Sequence, residues 1–218
     1  ALQLTKPPPR TSAGANNHPN AAHMLGVLYS GDGEEFNIEK NNETAFLWFK
    51  QASEIQPVGH ADAQYRVALV YSHKVRQQQD GGGSGGGSGG EEDHGQEEGE
   101  TKAEGEEADP FAPAGGLDLE EEAVRLFTSA AKQGHPEAAY SLGVLHSEGA
   151  MGIPKDEAAA VDMYRLAVDR GYPPAMRSLG IMYMRGLGVA KNPATAERLW
   201  RVAAERGDED SKELCDKI

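Results

Sequence analysis

The chain has 218 residues, a single cysteine and a formal net charge of −14 at pH 7. Ten acidic residues and one lysine lie between residues 91 and 109, so most of the acidity belongs to one segment. The chain has no Lys/Arg cluster to bind a phosphate backbone and no apolar run of ~20 residues to span a bilayer, which argues against nucleic-acid partners and a membrane segment. One cysteine cannot form an internal disulfide, and this favours a reducing, cytoplasmic compartment.

The N-terminal stretch is rich in proline and small polar residues and has no apolar segment of the kind found in signal peptides. We therefore predict that residues 1–19 form a disordered lead-in. A repeating helical pattern begins at residue 20. Its first element recurs four times, as AAHMLGVLYSGDG, ADAQYRVALVYSH, EAAYSLGVLHSEG and PAMRSLGIMYMRG.

These four stretches share an alanine, an aliphatic residue and a central small residue at helical spacing, which predicts an amphipathic helix. The central small residue leaves room for a second helix to approach closely. It is Gly26, Ala68, Gly143 and Gly180 in the four copies.

A second element also recurs four times, as AFLWFKQAS, AVRLFTSAA, AVDMYRLAV and AERLWRVAA. In each copy an aromatic residue follows the leading alanine by four positions, which predicts a helix that packs one large ring against small residues. Asp156 and Asn192 stand where the second helix of the last two copies needs an N-cap. The two elements together predict helical hairpins.

The spacing of these elements divides the chain into repeats and a final helix. We predict a solenoid over residues 20–217, with repeat 1 at about 20–56, repeat 2 at about 61–134, repeat 3 at about 137–171, repeat 4 at about 174–207, and a capping helix at about 208–217.

The consensus A-x3-LG-x2-Y-x2-G-x-G, followed by A-x3-W/Y-x2-A-A-x2-G, resembles the Sel-1-like repeat, a relative of the tetratricopeptide repeat. The resemblance is closest over the last two repeats. It implies an all-α fold, a right-handed α-solenoid of antiparallel helix pairs. It also implies that protein partners bind in the concave groove lined by the first helices.

The run DGGGSGGGSGGEE separates a helix of the first type, Ala61 to about Arg76, from a helix of the second type, Asp118 to Lys132. It therefore lies inside repeat 2, and we predict that a disordered Gly/acidic loop at residues 77–117 splits that repeat. Asp118 and Glu121 are spaced like a capping box. A phosphate-binding loop is disfavoured because the run has no preceding strand and no basic residue.

Catalytic and metal-binding patterns are absent from the sequence, which contains no H-E-x-x-H, C-x-x-C, G-x-S-x-G or P-loop motif. The histidines are scattered, and His60 and His135 occupy turn positions between repeats. Cys215 lies in the predicted terminal helix without a neighbouring histidine, which favours a packing role. We therefore expect no catalytic residue, no metal and no cofactor.

The candidate binding surface consists of the first-helix positions that should face the groove. These positions hold aromatic, apolar and arginine side chains, a mixture typical of peptide-binding surfaces. The column that contains Val144 and Ile181 also has a second interpretation, as core packing between helices. The candidate groove residues are Tyr65, Tyr140, Val144, Arg177, Ile181, Met184 and Arg185.

The resulting hypothesis is a non-enzymatic scaffold or adaptor that acts as a monomer within a larger complex. The resemblance also implies two alternatives. One is the regulatory repeat region of a larger enzyme, such as the kinase that acts on elongation factor 2. The other is a substrate-adaptor subunit of a ubiquitin-ligase complex in endoplasmic-reticulum quality control. The sequence does not select the partner.

Overall fold

A computed structural model describes residues 18–32, 39–55, 59–81 and 118–217, and all regular secondary structure in these ranges is helical. Most of the predicted lead-in and of the predicted 77–117 loop lies outside the described residues. The helices are α1 (Pro19–Val27), continued by a π-type turn at Leu28–Asp32, α2 (Asn42–Glu54), α3 (Ala61–Gly81), α4 (Leu119–Lys132), α5 (Pro136–Glu148), α6 (Glu157–Asp169), α7 (Pro173–Arg185), α8 (Pro193–Glu205) and α9 (Glu209–Asp216).

Consecutive helices pack as four pairs: α1 with α2, α3 with α4, α5 with α6, and α7 with α8. Each pair also contacts the next along the chain, and α9 packs on α8. Because the main contacts run between neighbours in the series, the fold is an α-solenoid, as the sequence predicts.

Glycines in left-handed conformations end the first helix of the third and fourth pairs. Gly149 has φ 73° and Gly186 has φ 75°, a region that residues with a Cβ rarely adopt. The following helices begin at the predicted N-caps. The Asp156 carboxylate accepts a hydrogen bond from Ala158 N at 2.9 Å, and Asn192 Oδ1 accepts one from Thr195 N at 3.0 Å.

Close packing of an aromatic ring on a glycine joins the two helices of a pair. A Cβ added to Gly143 would lie 2.5 Å from the Tyr164 ring, and one added to Gly180 would lie 2.3 Å from Trp200 Nε1. In the first pair, Phe49 stands equally close to Gly26. The role predicted for the central small residue is confirmed at these three glycines.

Helix α3 is longer than the sequence analysis predicts, because it continues past Arg76 to Gly81. Three glutamines follow Arg76, and glutamine has good helix propensity. Gln79 Nε2 also donates to Glu120 Oε1 of α4 at 3.1 Å. The start of the predicted loop at residue 77 is therefore wrong by five residues.

The N-cap hydrogen bond of α4 also differs from the one that the sequence predicts. Asp118 is the N-cap of α4, but its Oδ1 accepts from Leu119 N at 2.8 Å, which is not the capping-box pattern expected with Glu121. The carboxylate is turned toward the first N–H of the helix. Gln133, which follows α4, donates through Nε2 to Gln64 Oε1 of α3 at 2.7 Å and fastens the other end of the pair.

Candidate protein-binding surface

One column of first-helix positions, which contains the predicted groove residues Tyr65, Tyr140 and Arg177, lies at the junctions between helix pairs. Its members stand three residues before the central small residue of each first helix. Each packs on the residue just before the first helix of the following pair, or before α9 in the last case. The contacts are His23 with His60 (ring centroids 4.0 Å apart), Tyr65 with His135 (4.7 Å), Tyr140 with Tyr172 (5.4 Å), and Arg177 Nη1 with Asp208 Oδ1 (3.1 Å).

Tyr65 and Tyr140 are half-buried in these junctions. Burial raises the pKa of Tyr65 above its ordinary value of 10.0. The Tyr140 ring contacts Tyr164 on α6 as well, with centroids 5.7 Å apart. Both tyrosines therefore have intramolecular partners, which the sequence pattern does not predict.

Carboxylates of the same chain neutralise the charge of Arg177. Its Nη1 atom donates to both carboxylate oxygens of Asp208, at 3.1 and 3.3 Å, and also to Asp210. Its side chain is 23% exposed and that of Asp208 is 9% exposed. Arg177 thus fastens the start of α9 to the last helix pair, and its backbone carbonyl accepts from Trp200 Nε1 at 3.0 Å.

The other candidate residues lie along α5 and α7 and are more accessible. Val144, Ile181 and Met184 are partly exposed, and Arg185 is exposed. Val144 packs against buried neighbours of α6 and α7, so its core-packing interpretation agrees with the structure. No ion pair to Arg185 is present in the described part of the chain.

Ile181 lines a cleft of about 260 Å³ between α5, α6 and α7. It is the one predicted groove residue that does so. Tyr164 and Met182 are buried at this cleft, and Lys155 and Glu157 lie 3.5 Å apart at it. The remaining lining residues are Ser147, Ser178 and Leu187.

Hydrogen bonds fix the polar side of the cleft. Ser147 Oγ donates to the carbonyl of Val144 at 2.9 Å, and Tyr164 Oη lies 3.4 Å from Ser147 Oγ. Burial raises the pKa of Tyr164 above 10.0, so the hydroxyl stays protonated at neutral pH. The sequence pattern does not predict this cleft. A signal for it exists in Lys155, Glu157 and Leu187, which lie in or beside the turns that join the helices of a pair.

Two further observations concern the described ranges as a whole. No group of three His, Cys, Asp or Glu side chains there is arranged to hold a metal ion. No helix in those ranges is long and apolar enough to cross a membrane.

Comparisons with known proteins agree with this geometry. The Sel1 repeat family profile matches residues 19–55, 61–75, 118–135, 136–172 and 173–208, which is more than half of the chain. The matches at 61–75 and 118–135 flank the glycine-rich and acidic segment. No curated protein matches the chain significantly.

Two solved structures share the fold. One is a Sel1 repeat protein from Oxalobacter formigenes, with a TM-score of 0.63 and 23% identity over 92% of this chain and 63% of that protein. The other is c5321, a protective antigen of uropathogenic Escherichia coli with an SLR fold, with a TM-score of 0.61 and 26% identity over 89% of this chain and 32% of that protein. The chain thus spans less than two thirds of either neighbour. With its repeated helix pairs and the family matches along them, the chain belongs to the Sel1 repeat family.

Proposed function

We propose that this chain is a non-enzymatic scaffold that binds a protein partner along α5 and α7, with the cleft beside Ile181 as the centre of contact. Sel1 repeat proteins generally mediate protein–protein interactions. The observation that carries the proposal is the open cleft, which has buried apolar side chains within it and an exposed arginine on the same helix as Ile181.

The chemistry of the cleft suits an apolar side chain of a partner. Burial of a leucine-sized side chain against Ile181 and Met182 would contribute about 1.5–3 kcal/mol. Arg185 offers a planar group of five N–H donors that can pair with a carboxylate or with backbone carbonyls. Met184 adds a flexible apolar surface beside it, which adapts to partners of different shape.

The other candidate residues have a supporting role in this proposal. Tyr65, Tyr140 and Arg177 set the angle between successive helix pairs through their junction contacts, and Val144 holds α5 against its neighbours. Their replacement should therefore change partner binding mainly by altering the shape of the surface.

The test is affinity capture by the full chain, followed by mass spectrometry of the captured proteins. The variant is Ile181→Ser combined with Arg185→Ala. The matched control is Arg198→Ala, which removes another exposed cation of the same repeat, on α8. Circular dichroism verifies that all three chains fold alike.

We expect partners to be captured by the parent chain and by the control, and to be reduced at least tenfold in the double variant. Equal capture by the double variant would remove the cleft from the proposal. The identity of the partner separates the narrower roles: a ubiquitin-ligase subunit would indicate a substrate adaptor, and a kinase domain would indicate the regulatory region of an enzyme.

A further inference from the structure

A cluster of histidines surrounds one carboxylate where the first three helix pairs meet. The Asp62 carboxylate of α3 contacts His23 Nε2 of α1, Arg66 Nε at 2.7 Å, and His135 Nε2 at 3.4 Å. His135 directly precedes α5 and His60 directly precedes α3. We call His23, His60 and His135, with Asp62, the histidine cluster. A single carboxylate therefore connects α1, α3 and the start of α5.

His60 is the member of the histidine cluster whose surroundings disfavour an added proton. Its ring stacks on that of His23, with centroids 4.0 Å apart and planes 13° apart. Its Nδ1 atom is buried and has no hydrogen-bond partner among the described residues. In the neutral ring this atom can be a bare lone pair. In the protonated ring it becomes an N–H without an acceptor, which is more costly to bury.

The charges that face the cluster come from three elements. Arg66 and Asp62 lie on α3, His23 lies on α1, and Glu137 of α5 lies 3.3 Å from His135 Nδ1. When all three histidines are protonated, four cations face two carboxylates. His23 and His135 contact Asp62 directly. His60 faces both of these imidazoles, and the attraction of Asp62 offsets their repulsion only in part, so a proton on His60 is held at the stacked pair against its burial and the charge of His23.

We propose that the histidine cluster makes one junction of the solenoid sensitive to acid. Mild acid opens the junction that holds the first helix pair (α1 and α2) on the rest of the solenoid. The consequence is a change in the length of the ordered repeat surface, with the cleft between α5 and α7 left intact. The acid response therefore changes a part of the chain that is remote from the proposed partner site.

The direction in which pH changes the stability of the junction follows from two pKa shifts. Burial, and then the neighbouring His23, lowers the pKa of His60 below 6.5, so an opened junction binds a proton more readily than the closed one. The closed junction therefore loses stability as the pH falls below about 6.5. The pKa of Asp62 is lowered by hydrogen bonds from His135, Arg66 and His23 despite its burial, so its contribution is lost only below 3.8. Between these two pH values the stability of the closed junction therefore reports on His60.

The experiment is hydrogen–deuterium exchange of the full chain at pH 7.5 and pH 5.0, corrected for the intrinsic exchange rate at each pH. We expect protection in α1 and α2 to fall at least tenfold at pH 5.0. Helices α7 and α8 are the internal control, since residues 147–218 contain no histidine. Equal protection of α1 and α2 at both values of pH would overturn the proposal.

Two variants assign the effect to the cluster. His60→Phe keeps a flat ring against His23 but cannot bind a proton, so it should abolish the acid response. His73→Gln, which changes an exposed histidine of α3, should leave the response intact. An acid response that persists in His60→Phe would contradict the proposal. If that variant does not fold, an NMR titration of His60 in the parent chain decides, because a pKa at or above 6.5 would contradict it equally.

Discussion

Replacement of Gly180 by alanine tests whether the contact between ring and glycine holds a helix pair together. The new methyl group would stand 2.3 Å from Trp200 Nε1 and 2.7 Å from Trp200 Cδ1, well inside van der Waals contact. The ring cannot withdraw freely, because its Nε1 atom donates to the carbonyl of Arg177 at 3.0 Å. The substitution therefore forces α7 and α8 apart or breaks this hydrogen bond.

The expected magnitude combines three effects. Overpacking of a well-packed core costs about 1–3 kcal/mol. Loss of the indole hydrogen bond costs about 1 kcal/mol more. Alanine regains about 1 kcal/mol because it has a higher helix propensity than glycine. The free energy of unfolding of Gly180→Ala should therefore be lower than that of the parent by about 1–3 kcal/mol.

The assay is urea unfolding followed by circular dichroism at 222 nm and by tryptophan fluorescence. The control is the same substitution in a Trp200→Phe background, which reproduces the combination of Ala68 with Phe127 found in α3 and α4. There the cost should be smaller by at least ~1 kcal/mol, because contacting residues couple. An unchanged or higher midpoint for Gly180→Ala would refute the reasoning, since helix propensity would then outweigh the steric contact.

Two more predictions concern other parts of the solenoid. Asp208→Ala should lower the free energy of unfolding by about 1–3 kcal/mol, because it removes the N-cap of α9 and leaves Arg177 without its most buried partner. The control is Glu197→Ala, which should cost at most about 0.5 kcal/mol because the ion pair of Glu197 with Arg201 is exposed. Equal melting temperatures for the two variants would contradict the role given to Asp208. Replacement of residues 82–117 by a turn of about eight residues should keep the helicity, because Gln79 and Glu120 already connect the two helix ends. The shorter connection costs less closure entropy, so the free energy of unfolding should rise by up to about 1.3 kcal/mol. Loss of cooperative unfolding would show that the segment contributes to the fold.

The features that the sequence predicted well are those that depend on spacing within one repeat. Gly143 and Gly180 indicated close helix approach because a small residue recurs at helical spacing opposite an aromatic column. Asp156 and Asn192 indicated helix starts because a short polar side chain caps free N–H groups locally. Such features require only neighbouring residues, and the structure has them where the pattern placed them.

The features that the sequence does not predict depend on how successive helix pairs are oriented relative to each other. The pattern predicts a groove position for Tyr65 and Arg177 because each stands three residues before the central small residue of its helix. Their partners, His135 and Asp208, belong to the next element along the chain. The angle at which one helix pair meets the next brings these residues together, and no spacing within a repeat encodes that angle. The cleft escapes the pattern for the same reason, because three helices and two turns form it jointly.

The junction contacts between pairs have different chemistry at each step along the chain. Imidazole lies on imidazole at the first junction, phenol beside imidazole at the second, phenol against phenol at the third, and guanidinium meets carboxylate at the end. The pairs are therefore not interchangeable modules. In a permuted chain Arg177 would face an aromatic ring or an imidazole, and Asp208 would lose its counter-ion. Although the repeats look alike in sequence, each fits one place in the series.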